Sequence, residues 1–435
     1  MAQFRTDQNK LDFTNNRTRY EVFMLSDRLT PSGTTTDAFG RLRVASPLTL
    51  FDSNFRFADN ALWCTSNTAG GTYSFATNQS LMSLTVNTVA DAEVIRETKK
   101  VFSYQPGKSL LTMSTFAMNA PKANLRQRLG YFGAQNGIYL ENDGTTNYFV
   151  LRSYTSGAVV ETRVAQSNWN VDKFDGTGYS SQSADTAHLT GLDVSKTNIL
   201  WFDIEWLGVG DVRCGFVVDG KMVVAHVFHN DNRNTVPYMT TASLPLRYEI
   251  KNTGTTASSS TLKQICSTVI SEGGYSLYGS EQAVGNPVTT PLTLTTAGTT
   301  YNLIGLRLKS TRLDAIAILT AISLLPITNN AVLNWQIRAE TTTTGGTWVD
   351  AGADSAVEYK IDGGTVSGGR ILASGFTSAS TQAKIPVDIL REALFKFQLE
   401  RNGLTNTPFE VSLCATSDTN TTTCHASMDW EEVTR

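Results

Sequence analysis

Leu200-Trp201-Phe202-Asp203-Ile204-Glu205-Trp206 opens the stretch, Leu200 to His229, whose reading decides the fold. Phe202, Ile204 and Trp206 alternate with Trp201, Asp203 and Glu205. A period of two marks a half-buried strand. Gly208-Val209-Gly210-Asp211 reads as a turn and Val212 to Val218 as a second strand. Asp219-Gly220 is a two-residue hairpin signal, because both positions favour positive φ, and Lys221 to His229 is the return strand. The same grammar extends outward. Arg128 to Leu140 and Asn147 to Ser153 flank a turn at Glu141 to Thr146. Leu246 to Lys251 is expected to pair with Leu262 to Ser271 across the Thr/Ser-rich loop Thr253 to Thr261. Strand, turn and strand at this spacing predict an antiparallel sandwich or jelly roll over residues 61–278.

On the carboxy-terminal side, Gly285, Pro287 and Pro291 mark residues 279–291 as a linker. A second, smaller β-sandwich is expected over 292–435. Trp335 to Glu340 ends at the turn Thr341 to Gly346, and Phe395, Phe397 and Leu399 alternate on a late strand. The β-branched content of Ile316 to Leu325 favours strand over helix. Pro386 to Ala393 is the best short helix, with Pro386 near its start and Asp388 in its first turn. On the amino-terminal side, residues 1–60 are polar and laced with Arg and Asp, with apolar islands at Val22 to Leu25, Phe39, Leu42, Val44 and Leu48 to Phe51. Such a segment cannot bury a core alone and reads as an extended docking arm.

Composition agrees. The chain has 435 residues, 59 of them Thr, and only 17% are charged, against about 25% in an average soluble domain. Thr is β-branched and suits a pleated, half-exposed surface. Lys+Arg is 36 and Asp+Glu is 39, a balance that argues against a nucleic-acid partner. Ala315 to Leu325, the most apolar stretch, is far short of the roughly 20 residues of a spanning helix, so no membrane partner is expected. Met1 to Lys10 has no apolar region of the secretory kind. Cys64, Cys214, Cys266, Cys414 and Cys424 are odd in number and form no CxxC pair, so they read as reduced thiols, and a cytoplasmic origin is expected.

Candidate chemistry is sparse. His226 and His229 form an HxxH on a strand, where residues three apart face opposite ways, so no metal site is expected. No phosphate-binding glycine motif and no nucleophile-base arrangement stands out, and no cofactor is expected. Asp203 and Glu205 share one strand face. That segment resembles the catalytic strand of jelly-roll β-glucanases. The resemblance sets Asp203 at the assisting carboxylate, Glu205 at the acid/base and Trp201 where the nucleophile belongs. A retaining mechanism needs two carboxyl groups about 5–5.5 Å apart, one of them the nucleophile, so no catalytic residue is assigned. Trp201, Asp203 and Glu205 stand as candidate glycan-binding residues, with the polar outer face of a strand as the plainer reading.

Three blocks carry a wider resemblance. Leu25-Ser26-Asp27-Arg28, Asp37-Ala38-Phe39-Gly40-Arg41-Leu42-Arg43-Val44 and Pro47 to Asp52 are similar to the amino-terminal signature of a group of tailed-bacteriophage virion structural proteins. Arg247 to Thr253 with Ile265 to Tyr275, and Trp335 to Arg338 with Gly345 to Trp348 and Ser355 to Tyr359, resemble further shared blocks in the same order. Separately, Trp201 to His229 looks like the strand pair of a concanavalin-like jelly roll, a fold used by lectins, glycanases and structural modules alike. The resemblance implies a mainly β, non-enzymatic virion component assembled in the host cytoplasm. A tail, baseplate or fibre protein comes first, a head-decoration or head-fibre protein second, a glycan-binding or degenerate glycanase-like jelly roll third. Phe39, Arg41, Leu42, Arg43, Leu50 and Phe51 would anchor it to other virion proteins. Self-association as a homotrimer and a host surface glycan complete the expected partners.

Overall fold

The computed structural model describes residues 46–178, 191–276, 278–379 and 396–434. The chain divides into residues 1–46 and a compact body from Pro47 to Arg435. That body is built of antiparallel strands, without an α-helix among the described residues. The short helix expected at Pro386 to Ala393 lies outside them.

The first sandwich has two sheets. Along one, the strands run Lys221–Phe228, Val212–Val218, Asn198–Ile204, Leu110–Ala117, Ser260–Ser271, Leu81–Val86 and Gly71–Ala76, with Leu48–Ser53 paired to Ser260–Ser271 as the eighth. Along the other they run Val160–Ala165, Asn147–Ser153, Gly137–Asn142, Leu125–Phe132, Leu246–Asn252, Glu93–Thr98 and Trp63–Asn67. Alternation drives the packing. Leu200, Phe202 and Ile204 point inward and meet Leu129, Ile138, Phe149 and Tyr248 of the facing sheet in one core. Threonine supplies hydroxyl pairs across strands on the other faces, such as Thr85 with Thr261 at 2.9 Å.

Three sequence expectations are corrected here. Arg128 to Leu140 is not one strand. It breaks at Gly133–Asn136, where the Gly133 N–H donates to the Asn136 carbonyl at 2.9 Å. Asn136-Gly137 is a hairpin signal, and a Cβ on Gly137 (φ 146°) would lie 2.1 Å from that of Phe132. Leu246 to Lys251 does not pair with Leu262 to Ser271; the two strands lie in opposite sheets. The loop between them crosses the sandwich, and the Asn252 side-chain amide fixes its start by donating to the carbonyls of Asn87 (2.7 Å) and Val89 (2.9 Å). Third, the first half of the expected linker is strand: Ser280–Gly285 pairs with Ser427 to Glu432.

The second sandwich packs that strand, Thr422–Thr434, Leu292–Leu294 and Ile316–Pro326 against a six-stranded sheet. The latter runs Val349–Asp350, Val357–Ile361, Thr300–Leu308, Val411–Ser417, Val332–Thr343 and Val366–Ser378. Leu306, Leu319, Leu333, Ile337, Leu413, Met428 and Trp430 form its core. Ile316 to Leu325 is strand, as its β-branched residues require.

Charge joins the sandwiches. Phe397 to Arg401 lies between Ile316–Pro326 and the jelly-roll segment Thr98 to Val101. Gln398 donates to the Val101 carbonyl at 2.9 Å, and the Arg401 N–H to that of Lys99 at 3.0 Å. The Arg401 guanidinium lies 2.8 Å from the Glu97 carboxylate and donates to the Thr98 carbonyl at 3.0 Å. Both side chains are under 5% exposed. From Glu97 the pairing continues over the outer face of the seven-stranded sheet: Arg247, Glu249, Arg126 and Arg128, Glu141, then Arg163. Burial raises the Glu249 carboxyl, but Arg247, Arg128 and Arg126 overcome this and hold it below its ordinary value.

Removing one partner of a buried pair strands the other. Arg401→Met is expected to destabilise the body by about 3 kcal/mol, the low end of that class because Arg247 stays 3.5 Å from Glu97. Arg401→Met/Glu97→Gln should recover much of the loss. Urea unfolding of the two variants checks both, and a single-variant loss below about 1 kcal/mol would remove the interface from this role.

Candidate functional site

The anchor residues read from the sequence divide. Phe39, Arg41, Leu42 and Arg43 lie outside the described residues. Leu50 and Phe51 do not form a docking surface: both are buried in the jelly-roll core, and Phe51 packs on Phe102 (5.1 Å) and Trp63 (5.9 Å). A bulge between Thr49 and Phe51 opposite Ser260–Ser271 lets two consecutive side chains turn inward. The arm read as 1–60 therefore gives its last residues, from Leu48, to the first sandwich.

Trp201 and Asp203 sit on the outer face of the eight-stranded sheet, since Leu200, Phe202 and Ile204 fill the core side. Trp201 is 2% exposed. Its ring lies over Gly215, where a Cβ would come within 2.5 Å of it. No stacking face is left for a sugar, which corrects that candidate. Asp203 is also buried and paired with the Arg213 guanidinium. Burial pushes its carboxyl up against the pull of Arg213. Glu205, just past the strand end, is exposed. The turn behind it is closed by Val209 and Gly210 N–H groups donating to the Trp206 carbonyl (2.8 and 2.7 Å). Trp206 is half-buried and meets Tyr104 edge-on at 5.7 Å.

A cleft of about 490 Å³ gathers Asp203, Glu205, Lys108, Arg213, Asp211 and His229. Of these the sequence singles out Asp203 and Glu205, and weighs His229 only as half of the HxxH; Lys108, Arg213 and Asp211 carry no local signal. The Asp219-Gly220 turn pairs Val218 with Lys221 and Gly215 with Val224, but Cys214 then pairs with His226. Ala225 is an extra residue, a bulge that shifts every later pairing by one. Val212 therefore meets Phe228, and His229 falls beside Asp211. The two are 2.7 Å apart, His229 Nδ1 to Asp211 Oδ2. Asp231 completes a group whose ligand atoms all lie within 4.8 Å of one another. His226 faces the other way. It is buried edge-on against Phe228 at 4.6 Å, and its Nδ1 accepts from the Asn170 N–H at 3.4 Å.

The cleft can accept hydrogen bonds from hydroxyl groups or receive a cation. It does not pair Asp203 and Glu205 with a carboxylate nucleophile at position 201.

No family model and no curated protein matches the chain. Solved structures do. An endo-beta-1,4-glucuronan lyase from the fungus Trichoderma reesei is 12% identical, with a TM-score of 0.34, over 51% of this chain and 95% of that one. A Bacillus licheniformis beta-glucanase is 13% identical, with a TM-score of 0.32, over 50% and 96%. The CBM2 module of the evolved Dit of Lactobacillus casei phage J-1 is 6% identical, with a TM-score of 0.34, over 54% and 100%.

Burial, and then His229 nearby, lowers His226 to about 4 from an ordinary value near 6.5. A depressed folded pKa means that the unfolded chain takes up the proton first as pH falls. The stability tied to neutral His226 is thus full above about pH 6.5 and lost progressively toward pH 4. His226→Gln, which keeps an acceptor for Asn170, should flatten the fall in unfolding free energy between pH 6.5 and 5. Urea unfolding at three pH values measures it; equal slopes in both proteins would assign the fall to other groups.

Proposed function

We propose that this chain is a non-enzymatic structural component of a tailed-phage virion, a tail, baseplate or fibre piece held by its amino-terminal segment. The observation that carries the reading is the junction from Arg401 to Glu97, a buried ion pair with a hydrogen bond to the Thr98 carbonyl that joins the two sandwiches. β modules joined in series suit a protein that spans or packs a particle surface. The resemblance of the Asp37 to Val44 segment to the virion signature supplies the particle. Burial of Trp201 and the Asp203–Arg213 pair favour a binding or structural sheet over a hydrolytic one.

Glycan binding is the second reading, favoured by the polar cleft at the end of the Asn198–Ile204 strand. There Glu205, Asp211 and Lys108 would bond sugar hydroxyls directly, without a tryptophan platform.

Deleting residues 1–46 tests the first reading, since the body from Pro47 holds its own cores. The truncated protein should unfold at the same urea concentration as the full chain and be missing from purified particles. Incorporation at the full-length level would refute anchoring through this segment. Deletion through residue 60 is a different experiment, because it removes Leu50, Phe51 and Phe55 from the core.

A further inference from the structure

We infer that Asp211, His229 and Asp231 form a site for one divalent transition-metal ion of the zinc or manganese kind, at the rim of the cleft. Three observations converge. The donors are one imidazole and two carboxylates, the mixed nitrogen and oxygen set that borderline divalent ions prefer. Their ligand atoms lie within 4.8 Å of one another. Bonds of about 2.0–2.2 Å place two ligands of one ion roughly 3–4 Å apart, so small side-chain movement closes the set. Asp231 is exposed and able to make that movement.

The second observation is that the ligand-bearing segments are already fastened together. Asn230 is buried, and its side-chain amide donates to the Gly210 carbonyl at 2.9 Å. Its N–H donates to Asp211 Oδ1 at 3.2 Å, leaving Oδ2 on the His229 side. Fixing a ligand carboxylate by its other oxygen is what orients metal ligands in built sites. His229 and Asp231, two apart, flank that clamp.

The third is the local field. Asp203 already holds Arg213, so Glu205 and Asp211, with Asp231 beside them at the rim, outnumber Lys108, the one other lysine or arginine of the cleft lining. A cation is drawn to such a place. Binding would tie the Gly208–Asp211 turn to the end of the Lys221–Phe228 strand and set the shape of one cleft wall. The proposal stands apart from the virion reading, because it concerns only these side chains.

The test is calorimetric titration of the full chain, freed of metal by a chelator, with Zn²⁺, Mn²⁺ and Ca²⁺ in turn. All proteins carry Cys266→Ser, since that exposed thiol could bind zinc by itself. One equivalent of Zn²⁺ or Mn²⁺ per chain is expected, bound more tightly than Ca²⁺. His229→Ala and Asp231→Asn should each weaken binding at least tenfold, and Asn230→Ala about tenfold through its hold on Asp211. His229 and Asp231 are surface positions, so unchanged circular dichroism separates lost binding from lost fold. The proposal is overturned if neither Zn²⁺ nor Mn²⁺ binds below about 1 mM. It is equally overturned if His229→Ala binds as the parent does, or if Ca²⁺ alone binds with no dependence on His229.

Discussion

A charge taken out of water must meet an opposite charge. The body of this protein is arranged around that constraint. Glu97 sits where the two sandwiches meet, with Arg401 from one and Arg247 from the other. From there the signs alternate across the seven-stranded sheet until Arg163 reaches the surface beside Asp143. Arginine planes lie over the rings of Phe132, Tyr139 and Tyr148 and cover the apolar part of that face. Few charges are present in the sequence, and many of them are spent here.

The strands were legible where period and turn chemistry agreed. Phe202 and Ile204 placed one strand, which stops short of Trp206, and Asp219-Gly220 placed the hairpin after it. Ile316 to Leu325 is strand because its β-branched residues fit nothing else so well. Errors arose where local pattern is silent on long-range pairing. Nothing in Leu246 to Ser271 states that the loop between its strands crosses from one sheet to the other. Proline and glycine at 285–291 look like a linker whether or not Ser280–Gly285 finds Thr422–Thr434, which lies about 140 residues away.

The site was harder to read, for a physical reason. The shared face read for Asp203 and Glu205 assumes a strand through both, but the strand stops at Ile204, leaving Asp203 buried on it and Glu205 exposed beyond it. Whether Trp201 is open depends on Gly215 across the sheet, where the missing side chain lets the ring lie flat. The meeting of Asp211 with His229 depends on one extra residue, Ala225, within an otherwise regular hairpin. A register that slips by one exchanges every neighbour beyond it. The two histidines accordingly part company: His226 is enclosed with Phe228, and His229 opens onto the cleft.

The pairing of Leu48–Ser53 with Ser260–Ser271 has a consequence for biosynthesis. This strand, the first among the described residues, waits for a partner more than 200 residues later. At about 5–20 residues per second, that is on the order of 10–40 s with the middle of the eight-stranded sheet unfilled. Glu97 waits longer still for Arg401, and until then holds only its arginine from the same sandwich. Long-range pairing of this kind slows folding and exposes unpaired strands to their neighbours. When many copies are translated at once, sparing release of chains or a chaperone at the ribosome would govern yield more than the stability of the finished fold.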